Sequence, residues 1–183
     1  MGRIELRRMR EDDVDRIYDL ERDLFGLPWS KTSFLFEVND SRTSCPITAL
    51  EDGQVVGYAV GWFVADELHI GNVAVARARQ GTGIGKILVE YLLKEAAERS
   101  VSYATLEVRV SNVRAMNLYR KYGFKGIAIR KCYYADTGED AMVMMAEIGR
   151  TSPREAGLQA GDRDHGDGAQ RGREDSQARK PEV

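Results

Sequence analysis

Between Asn72 and Lys86 the chain reads Asn-Val-Ala-Val-Ala-Arg-Ala-Arg-Gln-Gly-Thr-Gly-Ile-Gly-Lys: a strand-like apolar stretch, three glycines within five residues, then a helical pattern. Glycines let a backbone take positive φ and come close to a ligand. The helix that follows carries Ile84, Ile87, Leu88, Tyr91, Leu92 and Ala96 on one side. Its first N–H groups and the positive end of its dipole suit a phosphate oxygen. Lys86, Arg77 and Arg79 are expected to add positive charge there. Two familiar phosphate loops are disfavoured. A Walker A loop needs Gly where Gln80 stands and Ser or Thr where Ile87 stands. A dinucleotide loop needs G-x-G-x-x-G after a first strand, whereas here the glycines run G-x-G-x-G well into the chain. Such a turn alone also fits a strand-to-helix connection with no ligand.

The flanking pattern predicts an α/β domain. Arg3–Met9 alternates as a strand, and Val14, Ile17, Tyr18, Leu20, Leu24 and Phe25 recur at helical spacing behind the acidic Glu11-Asp12-Asp13. Gly26-Leu27-Pro28 breaks that helix, and Ser30 caps a second, short one. Strands follow at Pro46–Glu51, Val55–Val64 and Glu67–Val75, the first two joined by an Asp52-Gly53 hairpin turn. After the glycine loop and its helix come a strand at Tyr103–Val110 and a helix at Asn112–Tyr122. Two closing strands, Phe124–Tyr134 and Ala141–Ile148, flank a turn at Asp136-Thr137-Gly138. The order is β-αα-β-β-β-α-β-α-β-β: a mixed central sheet of seven strands flanked by four helices, in one domain over residues 1–149.

Composition narrows the rest. From Thr151 onward the chain lacks aromatic residues and carries few large aliphatics, so residues 150–183 are expected to be a disordered polar tail. A net charge of −2 with both signs interspersed offers no nucleic-acid footprint. There is neither a secretory leader nor an apolar run of membrane-spanning length, so no membrane partner and a cytoplasmic location are expected. Cys45 and Cys132 read as reduced thiols. With His69 in a strand and His165 in the tail, no metal constellation forms. The oligomeric state is left open, and a monomer is compatible with the chain.

The full loop, Gln80-Gly-Thr-Gly83-Ile-Gly85, resembles the (R/Q)-x-x-G-x-(G/A) acetyl-CoA pyrophosphate loop of the GNAT superfamily. Leu106-Glu-Val-Arg-Val-Ser-Asn112 followed by Ala115-Met-Asn-Leu-Tyr119-Arg-Lys-Tyr-Gly123-Phe124 is similar to the second half of a GNAT domain. Within that superfamily the chain resembles the ribosomal-protein-alanine N-acetyltransferases and related N-terminal acetyltransferases. Pro28-Trp29-Ser30, Tyr133-Tyr134 and Gly138-Glu-Asp-Ala141 carry that narrower likeness, which covers nearly all of 1–149 and none of the tail. The resemblance implies an acetyl-CoA-dependent N-acetyltransferase acting, without a metal, on the N-terminal amine of a protein, a ribosomal protein being the family's suggestion. It implies Glu107 as general base and Tyr119 as general acid. It places acetyl-CoA on Val73, Ala74, Val75, Gly81, Thr82, Gly83, Ile84, Gly85 and Lys86, with Asn112 helping.

The chemistry fits these roles without requiring them. An α-amine of pKa about 7.7–8.0 needs only a mild base such as one carboxylate. Leu106, Val108 and Val110 share one face of their strand and Glu107 and Arg109 the other, an arrangement that a surface ion pair would also produce. Tyr119 could equally be a core tyrosine, and Asn112 a helix cap. Gly71 inside its strand suggests a bulge that would free backbone donors around Val73–Val75 for an oxyanion. Leu27, Pro28, Trp29, Tyr133 and Tyr134 are candidates for a peptide groove, with aromatic core packing as the competing reading. A lysine side chain or small amine as acceptor, and a non-catalytic acyl-CoA-binding module, are the alternatives.

Overall fold

The structure is a computed structural model describing residues 2–39 and 41–148, so the expectations for 150–183 fall outside the described residues. The strands are β1 (Ile4–Arg8), β2 (Ser44–Glu51), β3 (Gln54–Val64), β4 (Glu67–Val75), β5 (Tyr103–Arg109), β6 (Lys125–Tyr134) and β7 (Glu139–Glu147). The helices are α1 (Val14–Leu24), α2 (Lys31–Asn39), α3 (Ile84–Glu98) and α4 (Val113–Lys121), with short 3-10 turns at Glu11–Asp13 and Arg77–Arg79. The element order is the one the sequence predicts.

Local chemistry sets the boundaries. Asp52 and Gly53 both take positive φ, 50° and 82°, as a tight hairpin turn requires. The Ser33 N–H donates to Ser30 Oγ (3.0 Å), and the Ala115 N–H donates to Asn112 Oδ1 (3.1 Å), capping α2 and α4. The acidic triplet lies at the start of α1 as expected, and one member has a further role. Asp13 is buried and takes both Arg7 guanidinium nitrogens at 2.6 and 2.8 Å, fastening β1 to the start of α1.

One seven-stranded sheet runs β1-β2-β3-β4-β5-β7-β6. Neighbours are antiparallel except β4 and β5, which are parallel and pair only from Glu67↔Tyr103 to Ile70↔Leu106. The reason lies on β3. There Ile70 faces Gly61 but Asn72 faces Val60, so Gly71 is left over as a bulge. Beyond it β4 stays with β3 and leaves β5, and the sheet opens into a wedge between Gly71–Val75 and Glu107–Arg109.

Two cores clamp this sheet. On one face Ile84, Leu88, Val89, Leu92 and Ala96 of α3, with Met116 and Tyr119 of α4, pack on Ile47, Ala59, Leu68, Ile70, Leu106, Val108 and Met144. On the other, Val14, Ile17 and Leu20 of α1 and Phe34 of α2 cover Leu50, Val55, Tyr58, Val60 and Ala74. Gly71 has a second constraint: a Cβ there would fall within the Trp62 ring, which lies across β4 at the bulge. Gly71→Ala is expected to displace that indole and cost about 1–3 kcal/mol, the usual penalty of overpacking. A lowered urea midpoint with red-shifted tryptophan emission would register it.

Candidate active site

The wedge is bounded at its base by the glycine loop. Gln80 Nε2 donates to the Val75 carbonyl (3.1 Å) and Thr82 Oγ1 to the Arg79 carbonyl (2.7 Å), which folds the loop back on the end of β4. Gly81 and Gly83 sit at φ 86° and 95°, in the left-handed region that favours glycine. Among the described residues no backbone carbonyl accepts from the amides of residues 81–86. The N–H groups at the start of α3 are therefore left without backbone acceptors, which is what an anion-binding helix start requires. The arginines depart from expectation. Arg77 pairs with Asp23 (3.1 Å) and Arg79 with Glu51, so both brace the loop from behind. Lys86 lies on the exposed side of α3, 3.6 Å from Glu90.

Glu107 stands across the wedge on β5. The alternation that buries Leu106 and Val108 against α3 and α4 turns Glu107 to the α1–α2 face, where its side chain is 10% exposed. It does not pair with Arg109. His69 Nε2 lies 3.3 Å from Glu107 Oε2, and Arg130 Nη1 lies 3.1 Å from Oε1. Arg109 instead grips the β6–β7 turn, with Asp136 at 2.7 Å and Glu139 at 3.4 Å, and its guanidinium lies over the Tyr134 ring at 3.9 Å.

Tyr119 sits on α4, in the core on the α3 side of the sheet. It is buried against Phe124 (ring centroids 5.7 Å apart), and burial pushes its phenol up to about 12. It therefore stays protonated at neutral pH, as a proton donor must. Among the described residues its hydroxyl has no hydrogen-bond partner. Burial and the neighbouring Tyr133 also raise the Tyr134 phenol, with smaller influences from Arg109, Glu107 and Tyr119. Asn112 is the cap of α4 that its position suggested, and its Nδ2 remains unused among the described residues.

Two walls flank Glu107. One is the α1–α2 loop, where Leu27 is 63% exposed and Pro28 exposed, while Trp29 is half-buried between Phe34 (5.4 Å) and Trp62 (5.8 Å). Trp29 is thus partly core, as its competing reading held. The other wall is the end of β6, where Tyr133 and Tyr134 meet edge to face at 5.2 Å. The walls touch: a Cβ on Gly26 would come within 2.6 Å of Asp136 Oδ2. Gly26→Val is expected to force the Asp136 turn away and raise KM for an acceptor peptide several-fold. KM for the acyl donor should hold, because the glycine loop is untouched; steady-state kinetics with each substrate varied would check this.

The periodicity of α1 hides one further feature. Glu21, only 1% exposed, sits on the apolar stripe one turn after Ile17. It accepts from the Tyr58 hydroxyl, the Trp29 N–H (3.0 Å) and Asn72 Nδ2 (3.4 Å). One buried carboxylate thereby ties the groove loop to β3 and to the bulged part of β4. A charged residue on an apolar helical face is the signal that marks it.

Strand splay, an amide-lined loop at a helix start and this element order define the fold of acyl-CoA-dependent N-acyltransferases. The chain matches the model of the acetyltransferase (GNAT) family over residues 14–124. It belongs to that family. The [ribosomal protein bS18]-alanine N-acetyltransferase of Escherichia coli (strain K12) is 33% identical over 138 residues, covering 74% of this chain and 92% of that protein. A Bacillus subtilis (strain 168) protein provisionally given the same name is 36% identical over 143 residues, covering 78% of this chain and 95% of that one. Among solved structures, the ribosomal-protein-S18-alanine N-acetyltransferase from Escherichia coli superposes with a TM-score of 0.75 at 29% identity, over 84% of this chain and 99% of that one. Among the described residues no helix is long and apolar enough to cross a membrane.

Proposed function

We propose that this chain transfers acetyl from acetyl-CoA directly to the N-terminal α-amine of a protein within a ternary complex. The observation that supports it most is the wedge itself. It puts the amide-lined loop, the free edge of β4 and the carboxylate of Glu107 on one cleft. Gly81, Thr82, Gly83, Ile84, Gly85 and Lys86 would hold the pyrophosphate. Val73, Ala74 and Val75 would hold the pantetheine arm and the acyl carbonyl, with Asn112 Nδ2 as a further donor. The bound donor supplies an acyl group already activated as a thioester. Glu107 takes a proton from the attacking amine, and Tyr119 returns one to the departing sulfur. An α-amine suits a lone carboxylate better than a lysine ammonium of pKa about 10.4 does.

Leu27, Pro28, Trp29, Tyr133 and Tyr134 would line the acceptor groove. The relatives named for alanine at the N-terminus of a ribosomal protein make Ala-initiated peptides the first substrates to try. Incubation with labelled acetyl-CoA and peptides beginning Ala, Ser or Met is expected to label at least the Ala peptide. No label on any of them would refute the proposal.

A further inference from the structure

The carboxylate assigned as base is the end of a hydrogen-bonded row. Alternation along β4 and β5 turns Glu67, His69, Thr105 and Glu107 to one face, and the parallel register sets His69 beside Thr105. Their side chains interdigitate. Thr105 Oγ1 donates to Glu67 Oε1, His69 Nδ1 lies 3.0 Å from Thr105 Oγ1, and His69 Nε2 lies 3.3 Å from Glu107 Oε2.

We propose that His69 is a positioning and relay residue that carries the proton taken up by Glu107 out of the site. This rests on the reading of Glu107 as the base for an α-amine. An α-ammonium loses two protons on becoming an amide: the N–C bond forms, the C–S bond breaks, and the departing thiolate takes back only one. The other must leave. An α-amine is largely protonated near neutral pH, so this export accompanies most turnovers.

Proton bookkeeping fixes the direction of the row. An ionised Glu67 accepts only, so the single hydroxyl proton of Thr105 goes to it. Thr105 Oγ1 can then only accept, and His69 Nδ1 must carry the proton it receives. Nε2 faces Glu107 and takes up its proton, while Nδ1–H hands one to Thr105, whose own proton passes to Glu67 at the far end of the row. Arg130 occupies the other oxygen of that carboxylate. The imidazole is held for the task. It stacks on Trp62 at 5.7 Å and 18°, and Trp62 is itself pinned by Glu37 (2.8 Å) and stacked on Trp29. The groups around it are therefore Glu107 and Thr105 from β5, Trp62 from β3, Glu67 from its own strand, and Arg130 of β6 and Glu37 of α2 at one remove. The His69 side chain is 30% exposed against 10% for Glu107, so the outward end of the relay meets solvent.

The test compares His69→Ala, His69→Gln and Glu107→Gln with the intact chain, using an Ala-initiated peptide. Both His69 variants are expected to lose kcat by roughly 100-fold, the low end of what positioned proton transfer contributes, with acetyl-CoA affinity unchanged. Free imidazole should restore part of kcat to His69→Ala, where a ring-sized space opens beside Trp62. It should restore nothing to His69→Gln, which fills that space, or to Glu107→Gln. Unchanged kcat in the His69 variants, or a loss in His69→Ala that imidazole does not repair while acetyl-CoA still binds, would overturn the relay. Unchanged turnover in Glu107→Gln would instead overturn the assignment of the base on which the relay rests.

Discussion

Glu107→Gln is expected to lower kcat by roughly 10²- to 10⁴-fold, the range that a positioned general base supplies. The substitution is nearly isosteric. Its amide oxygen can still accept from Arg130, so the wedge should keep its shape. The proposed acetyl-CoA site is on the other side of the wedge, so its dissociation constant by calorimetry should match that of the parent chain. The split between lost turnover and retained donor binding is what identifies a base. A parallel loss of both would mean that Glu107 only holds β5 to its neighbours.

Gly83→Val should act in the opposite way. Gly83 precedes α3 at φ 95°, where a β-branched residue is strained by about 1–3 kcal/mol. Relief of that strain would swing the amides of residues 81–86 out of place. Affinity for acetyl-CoA is expected to fall by about 10- to 100-fold, which is what such an energy corresponds to. Once saturated, the variant should retain most of its kcat. Gly85→Ala makes the control: its Cβ would meet Val75 and Leu118 at 3.7 and 3.8 Å, ordinary contact distances, so binding should hardly change. Calorimetric titration of both variants separates backbone conformation from mere loss of a glycine.

The elements that sequence reading placed well were those governed by neighbours along the chain. The hairpin at Asp52-Gly53, the caps at Ser30 and Asn112, and the side alternation of Leu106 to Arg109 depend on residues a few positions apart. The glycine loop was legible for the same reason. What escaped depends on partners brought together by the sheet. His69 looked idle because Thr105 and Glu107 become its neighbours only through the parallel pairing of β4 with β5. Arg130 reaches Glu107 from β6, beyond the intervening β7. Arg77 and Arg79 read as added positive charge at the loop, yet Asp23 and Glu51, far off in the chain, pair with them. Gly71 was half legible. Its bulge could be inferred from a glycine in a strand, but the indole resting on it could not.

The claim at the centre of this account is that the acceptor is an α-amine, and one peptide tests it most directly. A peptide with a free N-terminal Ala and an internal Lys, incubated with acetyl-CoA and the full chain, can be fragmented by tandem mass spectrometry to locate the acetyl group. The expected result is acetylation of the α-amine with the lysine untouched, and loss of that product in Glu107→Gln. Acetyl on the lysine with a free N-terminus would contradict it.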